Sequence, residues 1–187
     1  MSYLEQQFLV AMPDMDDPNF SRGVTLLCQH NDEGALGLTI NRPSDLKLAD
    51  LFQQLGFENH DPSTADTIIF EGGPLHRERG FVLHETENDD REWDSSLAVG
   101  RHLKITTSKD ILEAIAEGTG PQRYLVTLGY AGWEAGQLEQ EIKDNVWLNV
   151  DAQREILFES PIDERWERAV AALGFSADAL QPSGGHA

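Results

Sequence analysis

No apolar run in this chain approaches the roughly 18 residues that a membrane-spanning helix requires. Glycine, proline or charged clusters close every one of them. That punctuation confines the chain to short strands and short amphipathic helices, which must bury their apolar faces against one another in layers. At 187 residues one domain is the default size. Hydrophobic residues make up 40% and charged residues 25%, which is globular rather than disordered usage.

The order of the short segments sets the fold class. Phe8–Ala11 is a brief apolar run before the acidic turn Pro13–Pro18, where two prolines block helix and central strand alike. Gly23–Gln29 alternates Val24, Leu26 and Cys28 with Thr25, Leu27 and Gln29, and Ala35–Ile40 follows after the polar connection His30–Gly34. This pattern predicts a hairpin with a longer loop, ended by Asn41-Arg42-Pro43 because proline cannot donate to a ladder. Further strands are predicted at Thr67–Phe70, Gly80–His84, within Leu97–Ile105 around Gly100, and at Gln122–Leu128, Asn145–Val150 and Glu155–Phe158. Glu85–Asp94 reads as an exposed loop.

Helical spacing appears in three places before the C-terminus. Leu48, Leu51, Phe52 and Leu55 precede Gly56; Ile111, Leu112 and Ile115 follow Thr107-Ser108-Lys109-Asp110 and precede Gly118; Leu138 and Ile142 follow the glycine-rich stretch Gly129–Gly136. The last helix is the best signalled, with Ser160 as N-cap, Pro161 at the first helical position, Ile162, Trp166, Ala169, Val170 and Leu173 as its apolar stripe, and Gly174 as its stop. Strands and helices mix without a repeating βα unit. The expected fold is α+β, a single domain over residues 1–180 with a mixed, partly barrel-like β-sheet and peripheral helices; residues 181–187 are expected to form a disordered tail.

Charge bears on partners. Lys and Arg total 14 against 33 Asp and Glu, for a net charge of −19. That balance disfavours a broad cationic surface for duplex DNA or an anionic membrane. No basic region precedes the apolar stretch at the N-terminus, so no secretory signal is expected. The single cysteine suits a reducing compartment, and the cytosol is the expected location.

Several local patterns carry chemistry. Positions i and i+2 of a strand share a face, so Cys28 and His30 could be neighbours, and an imidazolium there would favour a thiolate. A core cysteine beside a satisfied histidine is the plainer reading. The six histidines form no ligand pair. Asp14-Met15-Asp16 opens like a calcium loop, but Pro18 and Asn19 stand where an acidic ligand and a glycine belong. No metal and no cofactor are expected. Gly129–Gly136 is placed to aim backbone N–H groups at an anion, yet it lacks a phosphate-loop lysine and carries Glu134. A tight turn that packs Tyr130 and Trp133 is the plainer reading. Arg42 and Arg79 lie at strand exits, where they could hold a carboxylate or phosphate, and Arg42 could equally pair with Glu71. Ser95-Ser96 lacks the glycines of a nucleophile elbow.

The segments Phe8–Pro13, Leu26–Asn31, Gly37–Pro43, Gly72–Leu75, Arg79–His84, Leu128–Trp133, Gly136–Glu139 and Asn145–Leu148 together resemble the AlgH/YqgE family of bacterial proteins, in register over nearly the whole chain. The resemblance implies a compact α+β fold with a barrel-like mixed sheet in a bacterial cytosol. The family label refers to transcriptional regulation and brings no catalytic residues with it. The candidate cluster is therefore Cys28, His30, Asn41, Arg42, Gly72, Gly73, Arg79, His84, Tyr130 and Trp133. The expected function is a regulatory domain that binds a small molecule or a protein, acting on transcription indirectly. The alternatives are an enzyme with a Cys/His/Arg site and a direct DNA-binding regulator.

Overall fold

The computed structural model describes residues 4–12, 22–86 and 91–174. The acidic turn at Pro13–Pro18 with its calcium-like start, part of the Glu85–Asp94 loop and the 181–187 tail lie outside these described residues. Among the described residues ten strands form, β1 (Gln7–Ala11), β2 (Val24–Asn31), β3 (Gly34–Thr39), β4 (Pro43–Lys47), β5 (Ile68–Glu71), β6 (Leu75–Glu85), β7 (Ser96–Val99), β8 (Leu103–Thr106), β9 (Tyr124–Glu134) and β10 (Trp147–Asp151). The helices are α1 (Leu48–Leu55), α2 (Lys109–Glu117), α3 (Gln137–Lys143), α4 (Arg154–Phe158) and α5 (Arg165–Ala172).

Eight strands run in the spatial order β10-β1-β2-β3-β9-β6-β8-β7, and every neighbouring pair in that path is antiparallel. β4 pairs with β5, and β5 joins the sheet by pairing parallel to β9. The sheet curls until β7 comes back near β2, which makes an antiparallel half-barrel. Its concave face gathers Phe8, Leu26, Leu38, Leu83, Ile105 and Leu125 under Trp166, Ala169 and Val170 of α5. The convex face is covered in two parts. Leu48 and Phe52 of α1 and Ile111 and Ile115 of α2 pack on Ile69, Val82 and Val126, while Leu138 of α3 packs with Leu9, Leu27, Trp133 and Trp147.

β9 organises the curl. Along one edge it keeps β6, with Tyr124 to Leu128 opposite His84 to Gly80 and Tyr130 opposite Leu75. Along the other edge it pairs first with β5, Val126 to Leu128 against Ile69 to Glu71, and then with β3, Ala131 to Glu134 against Gly37 to Gly34. The chain leaving β5 must cross this changeover. There the Gly72 N–H donates to Leu128 O and the Gly72 carbonyl accepts from Thr39 N–H, tying the three strands together. A Cβ on Gly72 would sit 2.4 Å from Gly129 O, and one on Gly73 would sit 2.1 Å from Tyr130 C. Gly129 itself has φ +79°, and its Cβ would lie 2.4 Å from Gly73 O.

Several sequence expectations change for local physical reasons. Gly129–Trp133 is not a turn. The positive φ of Gly129 bends β9 without reversing it, because Gly132 finds Leu36 of β3 as its partner. The β2–β3 connection is shorter than expected: the ladder runs out to the Asn31–Gly34 pair, leaving Asp32 and Glu33 as the loop. Glu155–Phe158 is α4 rather than a strand; a four-residue apolar run does not by itself distinguish the two. Pro43 begins β4, on the outside of the sheet where its missing N–H costs nothing. The Ser160 hydroxyl donates to Glu155 O instead of capping, and Pro161 leads into a 3₁₀ turn at Ile162–Glu164 before α5. The expected stripe on that helix is realised, with Trp166, Ala169 and Val170 buried and Ile162 and Leu173 packed alongside. Gly56, Gly118 and Gly174 adopt the left-handed conformation at helix ends, as the pattern anticipates.

Arg165 locks α5 onto the sheet. Its guanidinium is buried, with Nη1 donating to Ile40 O and Nε to Ser160 O at 3.3 Å, and it lies 5.1 Å from the Phe70 ring centre. Burial pulls its pKa down to about 10.

Gly129→Ala should destabilise the protein by at least about 2 kcal/mol, since it forces a Cβ into an αL position already filled by a backbone carbonyl. Urea unfolding followed by circular dichroism measures this; a loss below about 0.5 kcal/mol would mean that the strand changeover does not need the glycine.

Candidate functional site

Cys28 and His30 illustrate how one irregularity redirects a site. The β2–β3 register runs Leu27 to Gly37 and then Gln29 to Leu36, so Cys28 is the extra residue of a β-bulge. The bulge reverses the facing of everything after it. Cys28 stays in the concave core with Val24 and Leu26, while His30, opposite Ala35, turns to the convex side toward α3. The thiol and the imidazole, which a regular strand would place on one face, are on opposite faces. Cys28 is 1% exposed and donates to Leu26 O at 3.5 Å. Burial pushes its thiol far above the ordinary range, so it is held as the thiol.

His30 is also 1% exposed. Its Nδ1 accepts the Leu4 N–H at 3.0 Å, which leaves the ring proton on Nε2, and Nε2 donates to Glu139 Oε1 at 3.1 Å. The hydrogen bond from His30 holds the Glu139 carboxyl below its ordinary range. Two residues on, Glu141 Oε1 accepts the indole N–H of Trp133 at 3.1 Å and of Trp147 at 2.9 Å, while its Oε2 accepts from Gln137 at 2.8 Å. The two indoles meet edge to face at 6.0 Å. α3 is thus pinned to the sheet by two carboxylates, and His30 and Trp133 act in that attachment.

Other candidates serve the backbone. Asn41 accepts the Val24 N–H at 2.9 Å and donates to Arg22 O at 3.0 Å. Gly72 and Gly73 permit the crossing at β9. The suggested Arg42–Glu71 bridge is replaced: the Glu71 carboxylate lies 3.5 Å from Arg77, and Glu71 meets Arg42 through its backbone N–H donating to Arg42 O. His84 is buried and its Nε2 is 2.8 Å from Thr106 Oγ1, which is in turn 2.8 Å from Ser96 Oγ. Among the described residues no three His, Cys, Asp or Glu gather into a metal-binding group.

Tyr130 and Arg79 lead to a different place. Tyr130 is half-buried, stacked 5.7 Å from His76 and set edge-on to Phe81 at 5.8 Å. His76 holds φ +47°, a costly conformation for a residue with a side chain. Arg79 lies over the Phe81 ring at 5.9 Å. Here the concave face opens between β3, β6 and β9 into a groove of about 820 Å³ lined by Gln29, Asn31, Glu33, Leu36, Leu75, Tyr130, Trp133 and Glu134 among others. At Leu36 it meets a second depression of about 280 Å³ lined by Phe81, Ser95, Ser96, Leu97, Ile105 and Thr107. Leu75 and Leu97 stand 42% and 41% exposed. Among the described residues no Lys or Arg lines either depression.

Of the sequence candidates, only Tyr130 and Trp133 line this groove, with Arg79 beside it. Cys28, His30 and Arg42 do not. Sequence reading missed Leu36, Leu75, Phe81, Leu97, Glu33 and Glu134. For the four apolar residues the signal is a strand position whose partners are distant in sequence, and for the two glutamates it is their meeting at the end of the β2–β3 hairpin; both exist only once the register is known.

A family model described as AlgH-like matches residues 8–178. A UPF0301 protein of Methylococcus capsulatus is 48% identical over 184 residues, covering 98% of this chain and 96% of that one. A UPF0301 protein of Paraburkholderia phytofirmans is 50% identical over 184 residues, covering 98% and 95%. The solution structure of the AlgH protein from Pseudomonas aeruginosa superposes with a TM-score of 0.80 at 48% identity, covering 100% of this chain and 97% of that one. A crystal structure of a Corynebacterium diphtheriae protein shares the fold at 19% identity, with a TM-score of 0.72 over 98% of this chain and 90% of that one.

Native Cys28 should resist a disulfide-exchange reagent at neutral pH and react fully in denaturant; fast native labelling would place it at an accessible site instead. Because Glu139 titrates below its ordinary value when folded, its contribution is present above the ordinary carboxylate range and lost as pH falls through the lowered value. Glu139→Gln should therefore cost up to about 1 kcal/mol at neutral pH and nothing in strong acid. Urea midpoints across pH check this, and a pH-independent difference would contradict it.

Proposed function

The chain belongs to the AlgH-like family, and from that premise we propose that it is a non-catalytic cytosolic domain that acts by contact, recognising its protein or small-molecule partner in the concave groove and influencing transcription indirectly. The observation that carries this reading is the groove itself. It shares Leu36 with a second depression, exposes Leu75, with Leu97 exposed in that second depression, and carries the stacked pair His76–Tyr130 at its side. Exposed leucines beside a half-buried aromatic are what a recognition surface offers.

The chemistry of the remaining candidates supports binding over catalysis. The one thiol is buried and protonated, and His30 holds backbone and helix. The hydroxyl file Ser96–Thr106–His84 is the feature that favours an enzyme. It places a second hydroxyl between serine and imidazole, whereas an activated serine needs its base in direct reach.

Charge supports an indirect role. With a net charge of −19, basic side chains are few, and several are engaged close to home. Lys47 pairs with Asp66, Arg77 with Glu71, Arg123 with Glu85 and Glu159, and Arg168 with Glu164. Arg22 lies over Trp166 and Arg91 over Trp93. Phosphate backbones bind clustered, available cations. Among the described residues no helix is long and apolar enough to cross a membrane.

The test compares affinity capture from lysate by the full chain and by its Leu75→Ser/Leu97→Ser variant, with a parallel thermal-shift screen of metabolites and nucleotides on wild type and Tyr130→Ala. Circular dichroism confirms folding. Captured protein recovery should fall by roughly tenfold or more in the double variant, or a stabilising compound should lose its effect in Tyr130→Ala. Equal recovery and unchanged shifts in the variants would overturn the reading.

A further inference from the structure

The groove differs along its length in charge. Glu33 and Glu134 line the end at the β2–β3 hairpin, where Gly34 pairs with Glu134. Neither carboxylate has an ion pair among the described residues, and no Lys or Arg lines the groove. At the other end, Arg79 lies over Phe81. Phe81 pairs with Thr127, seven positions along β9 from Glu134, which corresponds to roughly 20 Å of strand. An extended segment of about six residues spans that length.

The walls between these ends carry Leu36, Leu75, Tyr130 and Leu97 among polar side chains that include Gln29, Asn31, Ser95 and Ser96. The second depression is built on β7, Ser96–Val99, which is the last strand of the sheet path and takes its ladder hydrogen bonds from β8 on one side. Its other side comes back near β2. An extended segment laid along the groove places alternate side chains on one face, toward Leu36, Leu75 and Leu97.

We infer that the groove's occupant is an extended protein segment with apolar side chains at alternate positions and a lysine or arginine at the end that lies between Glu33 and Glu134. This rests on the reading of the groove as the recognition surface and adds the partner's chemistry. Glu33 and Glu134 are both exposed, so their pull on a cation is that of two solvated carboxylates acting together, and it weakens as salt is raised. They also reject an acidic segment, including another part of this chain's own strongly anionic surface.

The probe is a phage-displayed random dodecapeptide library selected on the immobilised full-length chain. The enriched consensus is then synthesised with a fluorophore and measured by anisotropy. Enriched sequences should carry Lys or Arg beside an alternating apolar pattern. Their affinity should fall roughly tenfold in Glu33→Gln/Glu134→Gln, fall in raised salt, and be lost in Leu75→Ser/Leu97→Ser. Both variants must keep the wild-type circular dichroism. Enriched peptides that lack a cation but still need Leu75 and Leu97 would overturn the charge assignment and leave the groove as the recognition surface. Absence of enrichment, or binding indifferent to both variants, would overturn the inference; the lysate and thermal-shift comparison then reports separately on the groove reading.

Discussion

A strand with three strand neighbours imposes the central constraint on this molecule. β9 keeps β6 along one edge and exchanges β5 for β3 along the other. The exchange works only if the chain leaving β5 passes against β9 backbone to backbone. Gly72, Gly73 and Gly129 supply that approach, each lacking the Cβ that would occupy a neighbour's carbonyl or peptide carbon. One main-chain arrangement, Gly72 N–H to Leu128 O and Thr39 N–H to Gly72 O, therefore sets where the parallel β5 ends and where the antiparallel barrel continues.

The rest follows from how the curled sheet is covered. The concave side receives α5, fastened by the buried Arg165 on Ile40 O and by the Trp166 indole donating to Ala11 O at 3.0 Å. The convex side receives α3, whose Glu139 and Glu141 reach His30, Trp133 and Trp147. Buried polar groups are costly unless satisfied, and here they are satisfied across elements distant in sequence. α5 does not cover the whole concavity. The uncovered part, at Leu36, Tyr130 and Leu97, is the groove. Its existence is a consequence of a large curled sheet served by short helices.

Positive charge in this chain is scarce, and the fold uses much of it internally or in local pairs. Arg165 is buried, and Arg123 and Arg154 share Glu85. Negative charge is left in excess on the surface and at one end of the groove. That distribution suits recognition of a cationic, partly apolar segment better than recognition of a polyanion.

Much of the local structure was legible in the amino-acid order. The apolar spacing and terminal glycines of α1, α2 and α5 were readable because a helix is closed by its own neighbours within a turn or two. The alternation of Val24, Leu26 and Cys28 and of Tyr124, Val126 and Leu128 was readable for the same reason. The scarcity of basic residues was plain from composition alone. Tertiary structure decided the rest. Gly129 reads locally as a turn, and only β3 as a partner makes it a bend in a continuous strand. A regular strand would place Cys28 and His30 on one face, and only the bulge against β3 sends them to opposite faces. Glu33, Leu36, Leu97 and Glu134 carry no shared local signal, since what unites them is a sheet register spanning about half the chain. Helix and turn chemistry acts between residues a few positions apart; strand pairing and the curl of a sheet act between residues that the sequence keeps far from one another.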